Sequence, residues 1–121
     1  MNFPEFSEIT PAKAAALKER IARLKIDISE IEERFVRGSG KGGQKINKTS
    51  NCVVLRYPPM NLSIRCQRER KRSLNRFLAL RELVDRVEMA ISPETSERLR
   101  EIERIRKRKA RKEYKRLKAE G

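Results

Sequence analysis

Histidine and tryptophan are absent from all 121 residues, and cysteine occurs only twice. Without imidazole, a Ser/His/Asp triad, a Cys/His dyad and a histidine-ligated zinc are excluded. Two thiols cannot complete a four-ligand zinc site, so neither a metal centre nor a cofactor is expected. Long apolar runs are lacking as well: none reaches the roughly 18 residues that a membrane-spanning helix requires. The opening MNFPEFSEIT has neither the basic nor the apolar segment of a secretory signal. The expectation is a cytosol-like compartment with reduced thiols. The length suits one domain. It is too short for a TIM barrel or a complete dinucleotide-binding enzyme.

What the chain has in excess is positive charge, +14 formally, and it is unevenly placed. Residues 1–36 hold 6 basic and 7 acidic side chains, residues 37–92 hold 13 and 4, and residues 93–121 hold 12 and 6. A near-neutral start followed by two basic segments points to a polyanionic partner, with nucleic acid favoured. An acidic membrane surface is the rival, but a membrane-lying helix needs an apolar face opposite its charges. The basic C-terminal segment offers only Leu99, Ile102, Ile105, Tyr114 and Leu117 for that purpose. No membrane partner is expected, and the chain is expected to be a monomer.

Thr10-Pro11 reads as an N-cap with proline at the first helical position. Ala14, Leu17, Ile21, Leu24 and Ile28 follow at helical spacing, predicting a helix over about 11–26 whose stripe covers the domain's own sheet. Residues 30–37 read as a strand, although Ser29 with Glu32 could form a capping box. NCVVLRY (51–57) and NLSIRCQ (61–67) alternate as strands around Pro58-Pro59-Met60. Pairing Tyr57 with Leu62 sets Leu55 against Ile64 and Val53 against Cys66, all on one face. Cys52 then falls on the other face with Arg56, Ser63 and Arg65, so no disulfide is expected. A helix is predicted over 73–91, capped by Ser73, with Phe77, Leu80, Val84, Val87 and Ile91 as its buried stripe. Ser92-Pro93-Glu94 is a further start signal. Beyond it, seven of the nine residues from Arg104 to Lys112 are basic, as in a solvated helix or a disordered arm. The fold class is α+β: a small domain with a short antiparallel sheet packed on helices, plus a basic C-terminal helical or disordered extension. The organisation expected is an N-terminal helix (1–28), a central domain (29–92) and the tail (93–121).

Four of the five glycines fall in GSGKGGQ, residues 38–44. GSGKGG fits G-x-G-x-x-G, but a dinucleotide site needs that motif to open a helix in a βαβ unit, with an acid about 20 residues on. Here polar residues and a hairpin follow, and residues 59–68 contain no acid. A plain flexible turn, for its part, has no use for the basic and amide side chains of Arg37, Lys41, Gln44, Lys45 and Lys48.

The run Arg37-Gly-Ser-Gly-Lys-Gly-Gly-Gln44, with Asn47 and Thr49, resembles the catalytic loop of class I peptide-chain release factors, whose signature is roughly R-x-S-G-x-G-G-Q-x-x-N-x-T. Cys66-Gln67, Arg70 and Asn75 are similar to the family's C-Q-x-x-R-S-x-x-x-N stretch, with Lys71 where serine is usual. The resemblance covers about residues 29–90. Codon-reading domains are not expected at this length. The chain resembles the short, codon-independent rescue relatives, which pair a GGQ domain with a basic extension; the short turn at Pro58–Met60 argues against the branch that inserts a helix between the hairpin strands and makes the chain more similar to the mitochondrial type.

The resemblance implies hydrolysis of the ester between a nascent peptide and tRNA, with Gly42, Gly43 and Gln44 as the catalytic residues. The main-chain N–H of Gln44 would stabilise the oxyanion, a role worth about 3–4 kcal/mol for one well-aimed donor. Fixing the attacking water is worth up to about 7–11 kcal/mol. Gly42 and Gly43 would allow the backbone to approach RNA where a Cβ would clash. The neutral Gln44 amide can orient water but cannot act as a base, so proton movement falls to the ribose hydroxyl and ribosomal RNA. Arg37, Lys41, Lys45, Asn47 and Lys48 are the RNA-binding candidates at the loop. Arg65, Arg68, Arg70, Lys71 and Arg72 form a second group, and Arg104, Arg106, Lys107, Arg108, Lys109, Arg111 and Lys112 a third. The implied partners are large-subunit rRNA at the peptidyl-transferase centre and peptidyl-tRNA, with the small-subunit mRNA channel as a further docking place. The compartment would be a bacterial-type cytosol, or the mitochondrial matrix in a eukaryote. The alternative is a non-catalytic ribosome- or RNA-binding protein with a relict GGQ loop.

Overall fold

The computed structural model describes residues 1, 9–37 and 51–120. The glycine loop, with Gly42, Gly43, Gln44, Lys41, Lys45, Asn47 and Lys48, lies outside the described residues.

Helix α1 spans Pro11–Arg23, with the Thr10 side chain accepting a hydrogen bond from the Lys13 amide at 3.4 Å. It ends earlier than its apolar spacing predicts. Lys25 adopts a left-handed conformation (φ 56°), and the amides of Lys25 and Ile26 turn back to Ala22 O and Ile21 O at 3.2 and 3.1 Å. Those two bonds make a Schellman stop. No glycine marks it, so the sequence carries no signal for it. A single helical turn at Ile28–Glu30 follows, capped by Asp27, whose carboxylate accepts from the Ser29 amide at 3.0 Å. Asp27 therefore does the capping, not Ser29, and the next residues form strand β1, Glu32–Val36.

Strands β2 (Cys52–Tyr57) and β3 (Leu62–Cys66) complete an antiparallel sheet in the order β1-β2-β3. Tyr57 pairs with Leu62, Leu55 with Ile64 and Val53 with Cys66, the register expected from the alternation. The turn between them is closed by Asn61 at φ 51°, a conformation asparagine tolerates well. Val53, Leu55, Tyr57, Ile64 and Cys66 are buried on one face, whereas Arg56, Ser63 and Arg65 are exposed. Both cysteines are free and buried.

Helix α2 spans Arg72–Ile91 and lies against β2 and β3. Leu80, Leu83, Val84 and Val87 close over Val53 and Leu55. Helix α1 packs beside α2 and adds Leu17, Ile21 and Leu24 to the same cluster, so its stripe faces a helix where the sheet was expected. Two details of α2 differ from expectation. The N-cap position is Lys71, without a side-chain capping bond, instead of Ser73. The reason is Asn75, which organises the preceding turn by bonding both main-chain groups of Glu69. Ile91, the last residue of the helix, is 52% exposed and does not join the buried stripe.

The Ser92-Pro93 signal produces a single turn, Pro93–Thr95. Helix α3, Glu97–Glu120, starts after it, with Ser96 Oγ accepting from the Leu99 amide at 3.2 Å. None of its residues is buried. At about 1.5 Å per residue, its 24 residues extend roughly 36 Å. No helix among the described residues is long and apolar enough to cross a membrane.

Lys25→Gly is expected to raise stability by about 1 kcal/mol, because glycine removes the left-handed penalty. Urea melts measure this directly; an unchanged or lowered midpoint would contradict the assigned helix stop.

Candidate nucleic-acid interface and the stems of the glycine loop

Val36 pairs with Cys52 in the last rung of the β1–β2 ladder. The glycine loop joins these strands, so Arg37 and Asn51 are its described ends. On the Asn51 side stands Asn75, wholly buried on the first turn of α2. Its side-chain amide donates to Asn51 O at 2.7 Å and to Glu69 O at 2.9 Å. Its carbonyl accepts from the Glu69 amide at 2.9 Å and from Cys66 Sγ at 3.6 Å. On the Arg37 side, Arg76 forms a two-pronged ion pair with Glu33 at 2.9 and 3.1 Å. The guanidinium of Arg72 lies 4.5 Å from the centre of the Phe35 ring, and that of Arg76 lies 5.8 Å from it. Glu33 and Phe35 oppose Leu55 and Val53, which explains why they face α2. Sequence reasoning passed over Glu33, Phe35 and Arg76. Their only signal was their spacing at alternate positions of β1.

The second basic group divides between two surfaces. Arg65 stands on the outer sheet face, in one row with Val54 and Arg34. Arg68, Arg70 and Lys71 are exposed in the turn before α2. Arg65 and Arg68 also line a crevice of about 390 Å³ between β3, α2 and α3, together with Arg81, Arg86 and Arg98, which sequence reasoning did not single out. The acids in that crevice are already engaged. Glu82 pairs with Arg98 at 2.7 Å and Arg86 at 3.2 Å, and Asp85 pairs with Arg20 at 2.7 Å. The Arg98 hydrogen bond holds the Glu82 carboxyl below the usual range against the effect of burial. The crevice therefore presents net positive charge, suited to phosphate.

The third group lies along α3, where Arg104, Arg106, Lys107, Arg108, Lys109, Arg111 and Lys112 are all exposed. Arg104, Lys107, Arg108 and Arg111 share one side of the helix. Exposed pairs such as Arg104–Glu101 and Arg116–Glu113 contribute little to stability. The cationic side is thus available to a polyanion.

A buried carboxylate sets where α3 begins. Glu88 accepts from Arg20 at 2.7 Å, Arg23 at 2.9 Å and Thr95 Oγ1 at 2.7 Å. It therefore ties α1, α2 and the turn before α3 together. Burial alone would raise its pKa, but the hydrogen bonds from Arg23, Thr95 and Arg20 outweigh that and lower it to about 2. The folded chain therefore binds fewer protons here than the unfolded chain, whose carboxyl titrates near 4.5. The stabilisation is complete above the unfolded value and is lost as pH falls toward about 2. Glu88→Gln is expected to lower stability at neutral pH by about 1–3 kcal/mol and to flatten the acid limb of the stability curve. Thermal melts from neutral to strongly acid pH check both; an unchanged acid limb would contradict the assignment.

Comparison with known proteins gives the architecture a family. The RF-1 domain profile matches residues 19–120. The chain is similar to the mitochondrial translation release factor in rescue of Homo sapiens, 42% identical over 88 residues, 73% of this chain and 53% of that protein. The Danio rerio protein of the same name is 46% identical over 87 residues, 72% of this chain and 56% of that protein. The Mus musculus protein is 39% identical over 113 residues, 90% of this chain and 61% of that protein. The chain thus spans somewhat more than half the length of these relatives. With the profile covering the whole sheet, α2 and α3, the chain belongs to the RF-1 domain family of class I release factors.

Proposed function

We propose that this protein is a codon-independent ribosome-rescue factor that hydrolyses the peptidyl-tRNA ester on stalled ribosomes or split large subunits. The observation that carries the reading is the intact run from Arg37 to Gln44, with Asn47 and Thr49 in register, in a chain of the RF-1 domain family. The names of its relatives, mitochondrial release factors in rescue, support the rescue role and a compartment that holds bacterial-type ribosomes, the mitochondrial matrix among them.

In this reading Gly42 and Gly43 let the backbone approach the ester closely. The Gln44 N–H meets the developing oxyanion, and the Gln44 side chain orients water. No histidine is needed, because an ester is already activated and the ribosome's RNA handles the proton. Residues 29–92 form the hydrolase domain, with 1–28 as its supporting helix and 93–121 as the anchor. Arg37, Lys41, Lys45 and Lys48 contact RNA around the reacting centre. The exposed arginines of the crevice and the cationic side of α3 hold phosphates without regard to sequence. The protein acts as a monomer.

Gly43→Ala is expected to abolish peptide release from stalled ribosome complexes while leaving ribosome binding nearly intact. Gln44→Ala should weaken release less, since the backbone donor survives. A Gly43→Ala chain that releases peptide at the parental rate would exclude the mechanism. Ribosome binding with no release by the parental chain would favour the relict-loop alternative.

Truncation after Ser92 should weaken ribosome binding and flatten its salt dependence, because each lost phosphate contact removes about 0.7–0.9 from the log–log slope. Equilibrium binding across a salt series measures this; an unchanged slope would remove the tail from the interface.

A further inference from the structure

We propose that the first turn of α2 is a clamp that positions the glycine loop from both ends, with Asn75 and Arg76 as positioning residues. The proposal rests on the hydrolytic reading above and extends it to residues outside the loop.

The two ends are held by different chemistry from neighbouring positions of one helical turn. Asn75 holds the Asn51 carbonyl, the first described main-chain group after the loop, at 2.7 Å. Arg76 holds Glu33 through two nitrogens, and Arg72 and Arg76 sit against Phe35, two residues before Arg37. The distance between the loop's ends is thereby referred to one rigid helix and does not depend on the hairpin ladder alone.

The arrangement is more specific than packing requires. The attachment of α2 to the sheet is already supplied by Phe77, Leu80 and Val84. Burying an amide is costly unless it is fully hydrogen-bonded. Asn75 meets that condition with both of its N–H groups and its carbonyl engaged. A fully satisfied buried polar group permits one geometry and penalises its neighbours. Catalysis by a main-chain donor needs that kind of constraint, since a displacement of about 1 Å can cost roughly 100-fold in rate.

The test uses the full chain carrying Asn75→Asp or, separately, Arg76→Leu. Val87→Ala serves as a control of comparable thermal destabilisation. Single-turnover peptide release on stalled complexes gives the saturating rate and the half-saturating concentration. Amide exchange in the free chain reads the Val36–Cys52 rung. We expect either clamp variant to lower the saturating rate by about 10- to 100-fold while half-saturation moves by less than about twofold. Exchange at Val36 and Cys52 should quicken, and Val87→Ala should keep the parental saturating rate. Arg76 lies nearer the surface than Asn75, so its variant decides the matter if Asn75→Asp does not fold. Clamp variants that match the control in rate, or parental exchange at that rung in both variants, would overturn the proposal. A parental chain that releases nothing would instead refute the hydrolytic reading, and the exchange measurement would still judge the clamp.

Discussion

The amide side chain of Asn75 is buried where three parts of the molecule meet: the end of the glycine loop, the turn after β3 and the start of α2. Its bonds to Asn51 and Glu69 account for the position at which α2 begins and for the absence of a side-chain cap there. An unsatisfied buried amide costs about 1–3 kcal/mol per lost partner, so the three segments hold one another in place. The hydrophobic core supplies most of the cohesion. This polar junction fixes Asn51, where the described chain resumes, to the start of α2.

Charge follows a similar division of labour. Residues 37–92 contain only four acids, and three of them, Glu82, Asp85 and Glu88, are consumed in pairs that join α2 to α1, to the turn before α3 and to α3 itself. Negative charge therefore acts inward as structural fastening, and the outward field stays positive around the crevice and along α3. Such a field raises the encounter rate with a polyanion. The pairing of Arg98 with Glu82 links the two basic surfaces, since it fixes the root of the tail beside the arginine-lined crevice.

Local chemistry was most readable where it was also decisive. The hairpin register followed from alternation and a short proline turn, because a one-residue slip would have placed arginines in the core. The Thr10 cap was legible for the same local reason. The stop of α1 was not, since Lys25 holds a left-handed conformation that sequence normally signals with glycine. Ser73 carries a cap signal that the helix does not use, because the interactions of Asn75 reach back to Glu69 and Asn51. Glu33 and Phe35 carry no local signal beyond that of strand residues, because their partners Arg72 and Arg76 come from a helix some 40 residues on. In the candidate site, the loop was recognised from its residue pattern alone and lies outside the described residues. The arginines of the crevice converge only through tertiary packing, which no short pattern encodes.

In the proposed function, a chain without histidine releases peptides by backbone chemistry on the ribosome, without a codon. The most direct measurement is peptide release by the parental chain from three complexes: ribosomes on truncated mRNA, ribosomes on intact mRNA with a sense codon, and large subunits carrying peptidyl-tRNA. The account predicts release from the truncated-mRNA ribosome, the isolated large subunit or both, with no stop codon present in any complex. Tight binding to all three with no release from any would contradict it.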